Sequence, residues 1–117
     1  MTENKPINIE DLLERVDNNI DFALQMLDKF FNSYKTRIEE IQKAIETKDY
    51  AEIKDSAHRL KGLTGNLSLM RCFDILLSLE KKAMEKNIQA CAEALILAEK
   101  SIIEANEYYL TNQDLFY

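Results

Sequence analysis

Apolar residues recur at intervals of three and four along most of the chain, a spacing that predicts α-helices with one face turned to a core. The longest run predicts one amphipathic helix of about seven turns, with charged residues on the opposite face. Its inward positions are Ile20, Ala23/Leu24, Leu27, Phe30/Phe31, Tyr34, Ile38, Ile41 and Ile45. The aromatic residues of this run are interpreted as core rather than as a cofactor site.

Two further helices flank this run. A short first helix is predicted from Ile7 to Val16, ended by Asp17-Asn18-Asn19, and we expect it to cap a bundle. The third helix is predicted to begin at a capping box, in which Asp49 accepts from the amide of Glu52 and Glu52 reaches back. It is expected to end near Asn66, with Tyr50, Ile53, Ala57, Leu60, Thr64 and Leu67 inward.

The remaining chain predicts a fourth and a fifth helix, separated at Asn87. Their inward positions are Leu69, Cys72, Leu76, Leu79 and Ala83, and then Ile88, Cys91/Ala92, Leu95, Ala98, Ile102, Ala105 and Tyr109. Whether Asp114–Tyr117 packs or frays stays open. Four long amphipathic helices with short connections predict an all-α fold, an antiparallel up-down four-helix bundle with a short N-terminal capping helix, spanning residues 1–117 as one domain.

Composition agrees with this fold and narrows the function. The chain has 117 residues, two glycines and one proline, which favours long helices joined by short loops. Its net charge of −6 opposes binding to a phosphate backbone, so nucleic acid is not an expected partner. The start Met1–Pro6 lacks an apolar leader and no stretch is long enough to span a membrane, so we expect a cytoplasmic monomer. The initial methionine favours a free-standing protein over an excised kinase domain.

Metal chemistry is not expected. Cys72 and Cys91 are far apart in sequence and lie on apolar helix faces, which favours buried thiols over a disulfide or a metal pair. With His58 as the only histidine, a zinc site is improbable.

The strongest chemical signal is a stripe on the third predicted helix. His58 lies away from the apolar seam and is expected to face water, while Gly62 and Gly65 follow at roughly 40° and 20° around the helix. Such a stripe is typical of a docking surface cleared around one imidazole. The alternatives are that the glycines admit a neighbouring helix or that Gly65 is a C-cap. Lys61, three residues after His58, supplies positive charge to anything attached to the ring.

These residues resemble a known family. The segment Ala57-His58-Arg59-Leu60-Lys61-Gly62, with Leu79-Glu80 in the following helix, is similar to the signature of histidine-containing phosphotransfer (HPt) domains of phosphorelays. The family usually has a small residue where Leu63 stands and a glycine where Ser68 stands. The resemblance implies reversible phosphorylation of the Nε2 atom of His58 by response-regulator receiver domains. A hybrid sensor kinase is a further candidate partner, and Mg²⁺ is expected only in the receiver, with no cofactor here.

The expected roles follow from charge and position. A neutral imidazole is nucleophilic near pH 7, so His58 is the expected phosphoryl acceptor and donor, and Lys61 the cation that stabilises the transferring phosphoryl oxygens. Partner docking is assigned to Gly62, Gly65, Arg59 and Lys54, and Asp55 is a weaker candidate to orient the imidazole ring. A charged residue on a helix surface is most often simply solvated, and that alternative applies to Lys54 and Asp55.

Motifs for ATP chemistry are missing: the sequence contains neither a phosphate-binding loop of the G-x-x-x-x-G-K-[ST] type nor a kinase glycine loop. The sequence therefore predicts a carrier rather than an enzyme. One alternative is an interaction-only bundle that docks a receiver without phosphotransfer, which the departures at Leu63 and Ser68 keep open. Another is an enzyme with His58 as general base, which needs a concave pocket and a third catalytic group.

Overall fold

The computed structural model describes residues 5–117, and this part of the chain is helical with no strand. The helices are α1 (Ile9–Arg15), α2 (Ile20–Glu46), α3 (Tyr50–Asn66), α4 (Met70–Met84) and α5 (Ile88–Thr111), followed by a 3-10 turn over Gln113–Phe116. The opening residues 1–4, considered above for a leader segment, lie outside the described residues. The predicted all-α class is confirmed.

Local sequence explains where the helices begin and end. Asn8, Asn19, Asp49 and Asn87 each accept a hydrogen bond from the amide three residues later, which satisfies a free N–H of the first turn. The connections contain five residues in the left-handed region, with φ between 53° and 60°. These residues are Asp17, Asn18, Lys48, Ser68 and Lys86. Tight reversals of this kind allow loops of only three or four residues between long helices.

The four long helices enclose one core. α2 packs against α3 and α5, and α4 packs against the same two helices, so α3 and α5 occupy opposite corners of the bundle. The largest fully buried side chains are Tyr109, Phe116, Ile7, Leu12, Leu27, Ile41, Ile53, Leu60, Leu69, Leu76, Leu79 and Ile102. α1 packs on α2 and on the C-terminal 3-10 turn. α3, which carries His58, Lys61 and both glycines, is thus anchored by a helix on each side.

Two local predictions need correction. The first helix begins at Ile9 rather than Ile7, because the Asn8 side chain caps it; Ile7 is nevertheless fully buried. Only half of the capping box forms: Asp49 accepts from the amide of Glu52 at 3.1 Å, but the Asp49 amide donates to Ala44. The Glu52 carboxylate instead accepts hydrogen bonds from Ser56 and Arg59.

The C-terminal residues, left open by the sequence, pack. Phe116 is buried with its ring centroid 6.0 Å from that of Tyr109, whereas Tyr117 is exposed. The Tyr109 hydroxyl donates to Asp28 Oδ1 at 2.7 Å and ties α5 to α2. Burial, and then the hydrogen bond to Asp28, raise the pKa of Tyr109.

Both cysteines are free and buried, as predicted. Burial raises the pKa of Cys72 to about 11, which keeps it as a neutral thiol. Among residues 5–117, none of the helices combines the length and the apolar content that crossing a bilayer would need.

Ser68, where the family usually has glycine, connects α1 to the turn between α3 and α4. It is fully buried at φ 60°, its hydroxyl donates to Asp11 Oδ2 at 2.7 Å, and its carbonyl accepts from the amide of Asn8. The hydrogen bond from the Ser68 hydroxyl, and to a smaller extent the one from Arg15, holds the pKa of Asp11 below its usual range. The serine therefore adopts the left-handed conformation that glycine adopts without strain, and it adds a hydrogen bond to Asp11 that glycine cannot make.

Replacing Ser68 tests both contributions. We expect Ser68→Ala to lower the free energy of unfolding by about 1–2 kcal/mol, since it loses the hydrogen bond and keeps the left-handed strain. Ser68→Gly should be the more stable of the two variants by about 1 kcal/mol, because glycine adopts this φ without strain. Urea unfolding measures both values, and equal stability of the two variants would contradict the assigned backbone conformation. The Asp11 pKa, followed by NMR, should rise in each.

Candidate functional site

His58 lies on the solvent side of α3, as expected. Its side chain is 69% exposed, and its Nδ1 atom lies 2.9 Å from Glu80 Oε2 on α4. An ionised carboxylate can only accept, so this contact places the ring proton on Nδ1. The Nε2 atom then carries a free lone pair on the exposed side of the molecule. The arrangement gives an oriented imidazole whose outer nitrogen is available as a nucleophile.

Glu80 is the buried carboxylate that organises the site. Its side chain is only 9% exposed and lies between two basic groups, with Oε2 at His58 and Oε1 2.6 Å from Lys61 Nζ. Burial by itself raises the pKa of Glu80, but the hydrogen bonds and charges of Lys61 and His58 outweigh burial and bring the net pKa below that of an ordinary glutamate. Glu80 is therefore ionised near neutral pH and able to hold the ring.

The orienting carboxylate is thus Glu80 and not Asp55, the residue suggested from helix spacing. Asp55 lies one turn before His58 on the same helix, whereas Glu80 approaches from the neighbouring helix α4. Glu80 belongs to the Leu79-Glu80 pair that resembles the family signature, but no role for it was predicted from the sequence. A usable signal was present, because Glu80 follows the inward Leu76 and Leu79 at helical spacing and so places a charge beside an apolar seam.

Lys61 is held more firmly than an ordinary surface lysine. Its side chain is 15% exposed, and its ammonium lies 5.6 Å from the centroid of the Phe73 ring as well as at Glu80. A cation over an aromatic face is attracted by the ring's electron density. The positive charge expected beside His58 is therefore present at a defined position, joined to the histidine through the shared carboxylate.

The two glycines differ in their surroundings. A Cβ atom added at Gly62 would meet nothing within 4 Å, whereas one at Gly65 would lie 3.1 Å from a Phe73 ring carbon. Gly65 therefore fits the alternative that a glycine admits a neighbouring helix, because Phe73 belongs to α4. The C-cap alternative is wrong, since α3 continues through Gly65 to Asn66 with no glycine at positive φ in the described chain. Gly62 alone leaves open space beside His58.

A shallow, open groove of about 420 Å³ runs between α3 and α4 at the histidine. It is lined by Lys54, Asp55, His58, Lys61, Leu77, Glu80, Lys81 and Met84. Three lysines and two carboxylates line the groove, so it carries a small excess of positive charge in a chain whose net charge is −6, and this excess favours an anionic group there. Arg59 lies elsewhere, with its guanidinium on Glu52 and Ser56. Leu63 is 37% exposed, on the solvent side of α3 beside Gly62.

His58, Asp55 and Glu80 line one groove, but their side chains are not placed to hold a metal ion together. In the part of the chain that the structure describes, no three His, Cys, Asp or Glu residues are placed to hold a metal ion. The chemistry available at the groove is that of one imidazole, the buried Glu80 carboxylate, the exposed Asp55 carboxylate and the surrounding ammonium groups.

Fold and site together define a class: a small helical module that presents one exposed, oriented histidine from the side of a bundle helix. A family model described as Hpt domain matches residues 25–107, which covers α3, α4 and most of α2 and α5. The chain belongs to the HPt domain family. Comparison with curated proteins and with solved structures yields no match.

Membership implies a part in phosphorelay signalling together with receiver domains. Members of the family are phosphocarrier modules and have no ATP site of their own.

Proposed function

We propose that this chain is a phosphorelay intermediary that accepts a phosphoryl group on Nε2 of His58 from one receiver domain and passes it to another. The observation that carries the proposal is the exposed ring whose Nδ1 is held by the buried, ionised Glu80. Family membership supports the same function. The shallow, open groove and the highly exposed ring fit a macromolecular partner better than an enclosed small-molecule substrate.

The transfer step is a displacement at phosphorus. The Nε2 lone pair attacks the acyl phosphate of the receiver, an N–P bond forms, and the P–O bond breaks with its electron pair leaving on the aspartate carboxylate. The ring keeps its Nδ1 proton and becomes positively charged, a charge that the Glu80 carboxylate 2.9 Å away stabilises. The reverse reaction returns the phosphoryl group to another aspartate. No base has to remove a proton from His58.

The surrounding cations have proposed roles in this step. Lys61 approaches the phosphoryl oxygens from its position at Glu80 and reduces their negative charge. Lys54 and Lys81 add positive potential along the groove. Mg²⁺ belongs to the receiver, and this chain contributes positioning and charge alone.

Docking is proposed on the exposed face of α3. Gly62 leaves room beside His58 for the receiver's active-site loops. Lys54 contributes charge on the groove side, and Arg59 on the other side of the helix. Gly65 acts there indirectly, by letting Phe73 pack closely against α3. The antiparallel up-down order of the bundle, a cytoplasmic location and a hybrid sensor kinase as phosphoryl source belong to the same proposal.

Glu80→Gln tests the assigned mechanism. An amide at this position has no charge to offer the phosphorylated ring and can also donate to Nδ1, which favours the wrong tautomer. We expect transfer from a phosphorylated receiver to slow by about 10–100-fold, by analogy with the loss seen when the partner that orients a metal-bound histidine is changed. Rapid-quench measurement of phosphoryl transfer gives the rate.

Asp55→Asn is the matched control, since it removes a carboxylate from the same groove without touching Nδ1. Its transfer rate should stay within about twofold of the parent chain, as for an exposed charge that only adds to the local field. Equal slowing in both variants would mean that groove charge matters and ring orientation does not. Receiver binding with no transfer by the parent chain would favour the interaction-only bundle.

A further inference from the structure

The outer face of α5 carries an apolar stripe that nothing in the described chain covers. Ile96, Ile103 and Leu110 recur every seven residues and are 67%, 44% and 61% exposed. Leu97 beside them is 54% exposed. Seven residues are close to two helical turns, so the three side chains line one edge about 21 Å long. A row of large exposed aliphatic side chains on one face is typical of an interaction surface.

This stripe is separate from the phosphotransfer site. α5 packs on α2 and α4, and α3 packs on the same two helices from the opposite corner of the bundle. His58 and its groove lie on α3 and the facing side of α4. A receiver seated on His58 therefore leaves the α5 stripe exposed, and a partner on the stripe leaves His58 free.

The charges beside the stripe identify its occupant. Lys100 and Glu107 lie on one side of the three apolar residues, both exposed and without an ion-pair partner among residues 5–117. Lys100 and Glu107 are seven residues apart, which is also the spacing between neighbouring residues of the apolar stripe. A second helix that carries the opposite charges in reverse order would pair both.

α5 itself is such a helix. When two copies pack antiparallel about a twofold axis near Ile103, Ile96 of each copy comes level with Leu110 of the other, and Ile103 meets its own counterpart. Along the helix axis, Lys100 of each copy lies within one residue of Glu107 of the other copy, so two equivalent ion pairs can form. A parallel pair would instead place Lys100 of one copy and Glu107 of the other on opposite sides of the contact, where they cannot pair. Such self-complementarity is the requirement for an isologous dimer contact.

We propose that the outer face of α5 is a homodimer surface, on which two copies pack antiparallel with mutual Lys100–Glu107 ion pairs. The contact is one helix face and lies at the small end of interface sizes, so association is weak and depends on concentration. At low concentration the chain is then the monomer that was expected from the sequence. Each dimer carries two free His58 sites. The inference stands independently of the proposed phosphotransfer.

Sedimentation equilibrium of the full chain between about 10 µM and 1 mM tests the proposal, since weak protein complexes dissociate in this range. The parent chain should shift from monomer towards dimer with rising concentration. Ile103→Glu should remain monomeric throughout. Met84→Glu is the matched control, because it places the same charge on an exposed residue of α4 and should dimerise like the parent chain.

A charge exchange tests the register. Lys100→Glu alone should weaken association by about tenfold, because two exposed ion pairs are lost at once. Adding Glu107→Lys in the same chain should restore association, with circular dichroism showing equal helicity in all variants. A parent chain that stays monomeric at the highest concentration overturns the proposal. So does a dimer that survives Ile103→Glu. Failure of the double exchange to restore association overturns the antiparallel pairing.

Discussion

His58→Gln is expected to abolish phosphoryl acceptance while leaving the fold intact. The imidazole is 69% exposed, so its removal opens no cavity and exposes no core surface. The glutamine amide can still donate to Glu80, which keeps a hydrogen bond on the buried carboxylate. It offers no nucleophilic nitrogen, because the amide lone pair is delocalised. Phosphoryl content after incubation with a phosphorylated receiver should fall to the background of the assay.

Thermal unfolding of the same variant provides the control. We expect the free energy of unfolding to stay within about 1 kcal/mol of the parent chain, the usual range for an exposed residue that loses one hydrogen bond. A much larger loss of stability would mean that His58 supports the core. Residual phosphorylation in the variant would place the acceptor on another residue.

Lys61→Met should produce the largest loss of stability among the site variants. Methionine keeps much of the apolar stem, but the Glu80 carboxylate remains buried and, among residues 5–117, keeps only the hydrogen bond to the neutral His58 ring. Breaking a buried ion pair on one side leaves an incompletely compensated charge, and we expect a loss of about 2–3 kcal/mol at pH 7. Phosphoryl transfer should slow as well, without loss of receiver binding. Urea unfolding and rapid-quench transfer measure the two effects.

The pH dependence of this loss has a defined sign. The folded-state pKa of Glu80 is lowered, so its stabilising contribution is present above the pKa of an unfolded glutamate and is lost as the pH falls through the folded-state value. In Lys61→Met burial dominates, which raises the pKa of Glu80. The difference in stability between the parent chain and the variant should therefore narrow as the pH falls through the raised pKa of the variant, and it should be smallest below the lowered pKa of the parent chain, where the carboxyl is protonated in both.

Two further variants separate charge from packing. Lys54→Met removes an exposed ammonium from the same groove and should change stability by less than about 0.5 kcal/mol. Lys61→Met combined with Glu80→Met removes both charges and should recover most of the lost stability, because an apolar pair needs no compensation. The double variant should still transfer slowly. Recovery of transfer along with stability would show that the two residues act only through the fold.

The helices could be predicted closely because their pattern is local. Apolar residues at 3/4 spacing and side-chain caps depend on neighbours within one or two turns, and α3 has the predicted end at Asn66. The errors arise where a side chain has two possible partners. Glu52 could reach back to the Asp49 amide, but that amide already donates to Ala44, and the carboxylate is drawn to Arg59. Such competition is not visible in a helical pattern.

The site was predictable in part for the same reason. The exposure of His58 and the open space at Gly62 follow from positions on one helix. The contacts of Glu80 with His58 and Lys61, and of Phe73 with Gly65, join α3 to α4 and depend on the register between the two helices. Spacing within α3 pointed to Asp55 instead, because a single-helix argument can only choose residues on that helix.

The most direct test of the central claim is intact-mass analysis of the chain after incubation with a receiver domain phosphorylated on aspartate. Neutral to alkaline conditions preserve a phosphorylated imidazole, and ³¹P NMR distinguishes the two ring nitrogens. We expect the chain to gain one acid-labile phosphoryl group on Nε2 of His58, and we expect no such gain in His58→Gln. A chain that binds several such receivers and gains no phosphoryl group, or gains it on Nδ1, would contradict this claim.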